Sequence, residues 1–244
     1  MMSLSYAVVI PARYKSSRFP GKPLVDILGK PMIQHVWERC ISAVGTDLVY
    51  VATDDVRIRD VVRAFGGHVI MTSSECLTGT DRVAEANEVL QKDFIINVQG
   101  DEPLIKPQDI ITVVTEYQKN PEIIVNAFCK ISDEENAFSF TLPKVVFSVS
   151  KRLLYISRAA IPLTKCGKNN IAYKQVCIYA FSRKHLEFFL NQGSKMPLED
   201  QEDIEILRFL ENDIEVKMVE VDNSSLAVDI PSDLDAVRNR LLTR

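Results

Sequence analysis

The sequence predicts an α/β fold built on a doubly wound, mostly parallel sheet. Two observations predict it. Through about the first 120 residues, short apolar runs alternate with segments of helical periodicity, the pattern of a parallel sheet covered on both faces. From 120 to 182 strand-like runs follow one another with little helix between them, which reads as a mixed or antiparallel excursion inside one domain spanning 1–244.

Each element has its own signal. "YAVVIPA" is a continuous apolar run and reads as a buried strand. "PMIQHVWERCISAV" places Met32, Ile33, Val36, Trp37 and Cys40 on one helical face. "DLVYVAT" is a second buried strand, and "DDVRIRDVVRAFGG" a helix stopped by Gly66 and Gly67. "HVIMT" is a third strand, "GTDRVAEANEVLQ" a helix opened by a Thr/Asp cap, and "DFIINVQGDEP" a strand running into an acidic turn. "EIIVNAFCKI", "KVVFSVS" and "KQVCIYAF" are the strands of the excursion. Helices return with "SRKHLEFFLNQ" and "LEDQEDIEILRFLEN", then a strand, "IEVKMVEV", and a last helix, "IPSDLDAVRNRLL".

Composition narrows the function. With 244 residues and 46% hydrophobic content the chain can bury a substantial core. A net charge of -4 argues against nucleic acid as a partner. No apolar run approaches the roughly 18 residues of a membrane span. Five cysteines without a CxxC pair, and no signal-peptide pattern, point to reduced thiols and a cytoplasmic location.

Four polar clusters fall at predicted strand ends, where doubly wound sheets bind ligands. They are the basic loop in "IPARYKSSRFPGKPL", Thr53-Asp54-Asp55, Gln99-Gly100-Asp101-Glu102, and Asp229. A cationic flexible loop after the first strand can hold a triphosphate, through the planar fork of an Arg and the point charge of a Lys. Neither a Walker A motif nor GxGxxG is present. A carboxylate at the end of a buried strand is placed to hold Mg²⁺. Taken singly, each feature has a plainer reading: a solvated basic turn, a carboxylate capping the helix after Pro107, an N-cap near Pro231. Together they are the equipment of nucleotidyl transfer. His35 and His185 read as structural and Cys177 as packing.

The segments "IPARYKSSRFPGKPL", "VATDD", "GTDR", "NVQGDEP", "PLEDQEDIEILR" and "VDIPSDL", in this order over nearly the whole chain, resemble the 3-deoxy-manno-octulosonate (KDO) cytidylyltransferase family of nucleotidyltransferases. The resemblance implies CMP transfer from CTP to KDO for lipopolysaccharide biosynthesis, with Mg²⁺ as cofactor and a homodimer built through the excursion. It implies that Arg13, Lys22 and Asp101 are catalytic and that Arg13, Arg18, Lys22, Thr78 and Asp101 contact the nucleotide. By the same resemblance Asp101 and Asp229 hold the metal. Gln99, Arg158, Gln175, Tyr179, Glu202 and Glu205 face the sugar acid, with Glu202 and Glu205 one helical turn apart. Gln175 and Cys177 stand where the family usually has His and Gly. A related 2-keto-3-deoxy sugar acid, such as 8-amino KDO or a nonulosonic acid, is therefore the alternative substrate. A nucleotide-sugar binding protein without turnover and a sugar-1-phosphate nucleotidyltransferase are the competing functions.

Overall fold

The computed structural model describes residues 4–15, 19–132, 135–168, 171–222, 226–228 and 230–243. Its hub is β1 (Tyr6–Ala12). Successive side chains of a strand point to opposite faces. Val8 and Ile10 accordingly enter one core cluster and Ala7 and Val9 the other. A strand buried on both sides needs helices on both sides, and the chain supplies them.

After β1 come a small hairpin, β2 (Asp26–Ile27) and β3 (Lys30–Pro31), then α1 (Met32–Val44), β4 (Val49–Thr53), α2 (Val56–Ala64) and β5 (His68–Met71). α3 (Gly79–Leu90), β6 (Phe94–Val98), α4 (Pro107–Lys119) and β7 (Ile124–Lys130) follow. The excursion carries β8 (Lys144–Phe147), β9 (Leu153–Ser157) and the long β10 (Tyr173–Ser182). The chain closes with α5 (Arg183–Asn191), α6 (Pro197–Glu202), α7 (Leu207–Leu210), β11 (Val216–Glu220) and α8 (Asp233–Leu242). Ile33, Val36 and Trp37 of α1, Ile58 of α2 and Ile110 of α4 cover one face. Val83 of α3, Leu186 and Phe189 of α5 and Phe209 of α7 cover the other.

The main sheet runs β11-β7-β10-β6-β1-β4-β5. β1 pairs in parallel with β4 and β6, β4 with β5, and β7 with β11. β10 alone on this path is antiparallel, to both β6 and β7. β8 pairs with β10 and β9 with β8, off the main path. The predicted doubly wound, mostly parallel sheet is the observed one.

One expectation is corrected. The acidic segment read as one helix, 198–212, is two short helices, because Asp203 adopts φ 51, a left-handed conformation that ends α6. Glu202 and Glu205 are thus not neighbours on one helical face. β9 also goes beyond the sequence reading, which left "LLYIS" unassigned. The histidines are structural. His35 Nε2 contacts the Ile27 carbonyl at 2.8 Å. His185 completes a capping box with Ser182 at the start of α5.

Candidate functional site

The carboxyl ends of β1 and β6 lie side by side. Gly100 lets the loop after β6 pass close to the end of β1: a Cβ there would stand 3.0 Å from the Pro11 carbonyl. β10 runs the opposite way, with Ile178 opposite Val98, so residues 174–177 overhang the end of β6. These edges help enclose a cleft of about 440 Å³, in the position where open α/β sheets bind ligands.

The β1 loop forms one wall. The Gly21 N–H donates to the Tyr14 carbonyl at 2.9 Å, with Gly21 at φ 72. The Arg57 guanidinium stacks 3.3 Å from the Tyr14 ring centroid and braces the loop from outside. Arg13 lines the cleft as an exposed side chain. Lys22 Nζ donates to Asp101 Oδ2 and to the Val228 carbonyl, both at 2.8 Å. The sequence treats Lys22 and Asp101 separately, but the structure joins them as an ion pair where the loops after β1 and β6 meet. Asp101 does not cap the following helix: the cap position of α4 is Lys106, which makes no side-chain cap bond. Arg18 and Asp229 lie outside the described residues. Val228, immediately before Asp229, donates its N–H to the Asp101 carbonyl at 2.9 Å.

The start of α3 forms a second wall. Thr78 caps the helix: Asp81 Oδ2 accepts from the Thr78 N–H at 2.8 Å and from its hydroxyl at 2.7 Å. The next two amides, of Gly79 and Thr80, donate to the two carboxylate oxygens of Glu205 at 2.9 and 2.8 Å. A helix N-terminus attracts anions, and here a protein carboxylate already holds it. Burial pushes the Glu205 carboxyl up from its ordinary value, against the lowering effect of these bonds. Glu205 lines the cleft with both oxygens engaged. Gln99 packs against the same turn, where a Cβ on Gly79 would meet its side-chain amide at 2.7 Å.

The excursion supplies the third wall. Arg158, just after β9, is held by carbonyls: its Nε donates to Glu202 O at 2.5 Å, Nη1 to Phe140 O at 2.9 Å and Nη2 to Asp203 O at 3.0 Å. Glu202 stands behind the wall, where its carboxylate accepts from the Ser157 hydroxyl at 2.6 Å and the Arg158 N–H at 2.9 Å. It is not a lining residue, so the structure does not bring it to the cleft with the other predicted sugar contacts. Buried Lys144 donates to the Arg158 and Ser139 carbonyls at 2.5 and 2.7 Å. Burial, reinforced by the Arg158 charge, lowers its pKa to about 8. Gln175 lines the cleft while its Nε2 donates to Asn126 Oδ1 at 2.9 Å. Asn126 in turn donates to the Val176 and Ile178 carbonyls, each at 3.1 Å. Tyr179 also lines the cleft, and burial pushes its hydroxyl well above the ordinary value.

Several lining residues received no role from the sequence, Glu102, Lys174 and Glu135 among them. Glu102, buried at the end of β6, accepts from the Cys177 N–H at 2.9 Å, at the register shift of β10 between Val176 and Tyr179. Its place inside "QGDEP" was the available signal. Lys174 and Glu135 form an ion pair on the cleft wall. Residues 39 apart in an irregular segment carry no pattern that would pair them.

The arrangement can bind an extended anion against Arg13 and Lys22 and a second polar molecule between α3 and the excursion. Hard oxygen donors at Asp101 fit a divalent cation such as Mg²⁺, which keeps its waters and shares substrate phosphates, needing only one or two protein carboxylates. Among the described residues no group of three or more His, Cys, Asp or Glu is assembled for a metal.

The chain matches the model of the family described as "Cytidylyltransferase" over residues 7–218. It is 41% identical over 231 residues to the 3-deoxy-manno-octulosonate cytidylyltransferase of Escherichia coli, spanning 95% of this chain and 94% of that one. It is 42% identical over 246 residues to an 8-amino-3,8-dideoxy-manno-octulosonate cytidylyltransferase of Shewanella piezotolerans, spanning 98% and 99%. A solved CMP:2-keto-3-deoxy-manno-octonic acid synthetase complexed with CTP superposes with a TM-score of 0.89 at 40% identity, over 98% of this chain and 99% of that one. The cleft lies in a chain that belongs to the cytidylyltransferase family.

Proposed function

We propose that the chain is a Mg²⁺-dependent 3-deoxy-manno-octulosonate cytidylyltransferase of lipopolysaccharide biosynthesis, acting in the cytoplasm. The anomeric hydroxyl oxygen at C2 of the sugar attacks the α-phosphorus of CTP. The bond from that phosphorus to the bridging oxygen of pyrophosphate breaks, and the hydroxyl proton is lost. The product is CMP-KDO. No covalent intermediate is needed, so the protein contributes positioning and charge neutralisation.

The observation that carries this reading is the ion pair of Lys22 with Asp101, 2.8 Å apart at the meeting point of the β1 and β6 loops. It sets a cation suited to phosphate oxygens beside a carboxylate suited to a divalent metal, on one side of the cleft. Arg13 and Lys22 would hold phosphate oxygens, with Arg18 in the same loop and Thr78 at the nucleotide wall. Asp101, with Asp229, would hold Mg²⁺, which supplies charge neutralisation at the reacting phosphate. Gln99, Arg158, Gln175, Tyr179 and Glu205 would frame the sugar acid. The relatives named for KDO support the same sugar. The test is pyrophosphate release from CTP with a panel of 2-keto-3-deoxy sugar acids, with and without Mg²⁺. KDO should give the highest kcat/KM, and chelation should abolish turnover.

An 8-amino sugar acid is the second reading. The Glu102 carboxylate on the cleft wall favours it, carrying charge of the sign an ammonium would meet, and relatives named for that sugar match at similar identity. A higher kcat/KM for the amino sugar in the same panel would select it. A homodimer through 120–182 is part of the proposal. Six of the sixteen large apolar side chains that stand exposed among the described residues fall between 138 and 171: Phe138, Phe140, Val149, Leu154, Leu163 and Ile171. No helix among the described residues is long and apolar enough to cross a membrane.

A further inference from the structure

The segment "LEDQEDIEILR" has more charge than the cleft uses. Glu205 lines the cleft and Glu202 stands behind Arg158. Glu199 and Arg208 face away from both. Arg208 is fully buried, and its Nε and Nη2 form a bidentate pair with Glu199, each bond 2.7 Å long. Its Nη1 donates to Asp81 Oδ1 at 2.9 Å, and its guanidinium lies 3.6 Å from the Phe189 ring centroid. Asp81 uses its other oxygen to accept from the Thr78 N–H and hydroxyl. A continuous chain of charge-assisted bonds therefore runs from Glu199 through Arg208 and Asp81 to Thr78 on the cleft.

Stability is a weak account of this chain. A buried ionic triad costs desolvation, and apolar replacements of similar volume are often neutral or stabilising. A cap for α3 needs only Thr78 and Asp81. What the added cation does is fix the Asp81 carboxylate, and with it the orientation of the Thr78 turn. Planar, bidentate pairing suits that task, because a guanidinium locked on two sides fixes direction as well as distance.

We infer that Arg208 is a positioning residue for the nucleotide: through Asp81 it sets the Thr78 turn on the cleft wall, although neither Arg208 nor Asp81 lines the cleft. The inference rests on the nucleotide-binding reading of the cleft given above.

The experiment compares the full-length parent with two variants. One is Arg208→Lys. The other is the triple variant Glu199→Met, Asp81→Asn, Arg208→Met, which removes the buried charges while the new amide side chain keeps an acceptor for Thr78. CTP affinity is read by calorimetric titration in the absence of sugar, and KM for each substrate by pyrophosphate release. The triple variant should melt within a few degrees of the parent, with Kd and KM for CTP raised roughly tenfold and KM for the sugar acid, whose Glu205 is held by the next two amides, raised by less. Arg208→Lys, which keeps the charge but loses the fork, should fall between. A simple loss of folded enzyme would lower kcat and leave both KM values alone, and that pattern overturns the inference. Parent-like CTP affinity in the triple variant also overturns it while leaving the nucleotide reading intact. A parent chain that binds no CTP overturns both. If neither variant folds, the network is a folding determinant and the positioning role falls.

Discussion

The two sides of the cleft are held in opposite ways. On the β1 side, Arg13 is exposed on a loop, and Lys22 reaches across to a carboxylate and one carbonyl. On the far side almost every polar group is bound by the protein itself: Arg158 by three carbonyls, Gln175 by Asn126, Glu205 by two amides of α3. The first side has charge ready for exchange with a ligand. The second has its geometry set beforehand, so that bound groups meet fixed directions and lose little freedom. Under the proposed function, affinity for the charged, extended nucleotide would come from the first wall and selection among similar sugar acids from the second.

The strongest way to break this contrast is on the β1 side. Asp101→Asn should lower kcat by roughly 10²-fold or more, because a neutral amide is a poor ligand for Mg²⁺ and no longer balances Lys22. Lys22→Ala should cost on the order of 10²-fold in kcat/KM for CTP and leave the ranking of sugar acids unchanged. Pyrophosphate-release kinetics on both variants checks this. A changed sugar ranking in Lys22→Ala would dissolve the division of labour.

Arg158→Lys sharpens the contrast from the other side. A lysine cannot satisfy three carbonyls at once in this geometry, so the excursion wall loses its setting. KM for the sugar acid should rise about tenfold with KM for CTP within about twofold, the size of change a single lost contact produces. Equal rises in both would mean that the two walls are not independent.

The α5 cap gives a pH-dependent effect away from the cleft. Burial lowers the His185 pKa to about 4 from an ordinary 6.5. Its Nδ1 accepts from the Ser182 N–H at 3.3 Å, which requires the neutral ring. A histidine whose folded pKa is depressed favours the fold above its unfolded pKa. That contribution is lost as pH falls from about 6.5 towards 4, and it amounts to a few kcal/mol at most. Melting temperature should drop over this window, and His185→Gln should flatten the drop. An identical pH profile in the variant would remove His185 as the cause.

The smallest effect is expected at Gln175→His. The imidazole can still reach towards Asn126, so stability should change by no more than about 1 kcal/mol. Sugar preference should shift by a few-fold, read as the ratio of kcat/KM for KDO and its 8-amino analogue.

Much of this was legible in the sequence, and the limits follow from distance along the chain. The strands around β1 announced themselves because a parallel sheet demands continuous apolar runs, and the polar ends of those runs marked the cleft. Arg13, Lys22, Gln99 and Asp101 stood out because each lies in a loop that follows such a run, whereas Thr78 entered only through the family resemblance. The pairing of Lys22 with Asp101 was not legible, since 79 residues separate them. Nor was the position of Glu202. Its spacing to Glu205 implies one helical face only if the helix continues, and a single left-handed residue, Asp203, decides otherwise. β9 was hidden because its mixed exposure lacks the apolar run that marks a core strand.

Asp203 has a consequence for how the molecule tolerates change. A non-glycine residue in the left-handed region costs roughly 1 kcal/mol, here beside an ion pair of Asp203 with Lys195 at 2.8 Å. The bend sends the side chain before it to the Arg158 wall and the side chain two places after it to α3. The residues between Glu199 and Arg208 therefore act as a ruler for the gap between those walls. One inserted residue at the bend would leave the sheet untouched and yet move one wall against the other. Length variants in this short stretch should be far rarer among active chains than substitutions at its exposed positions.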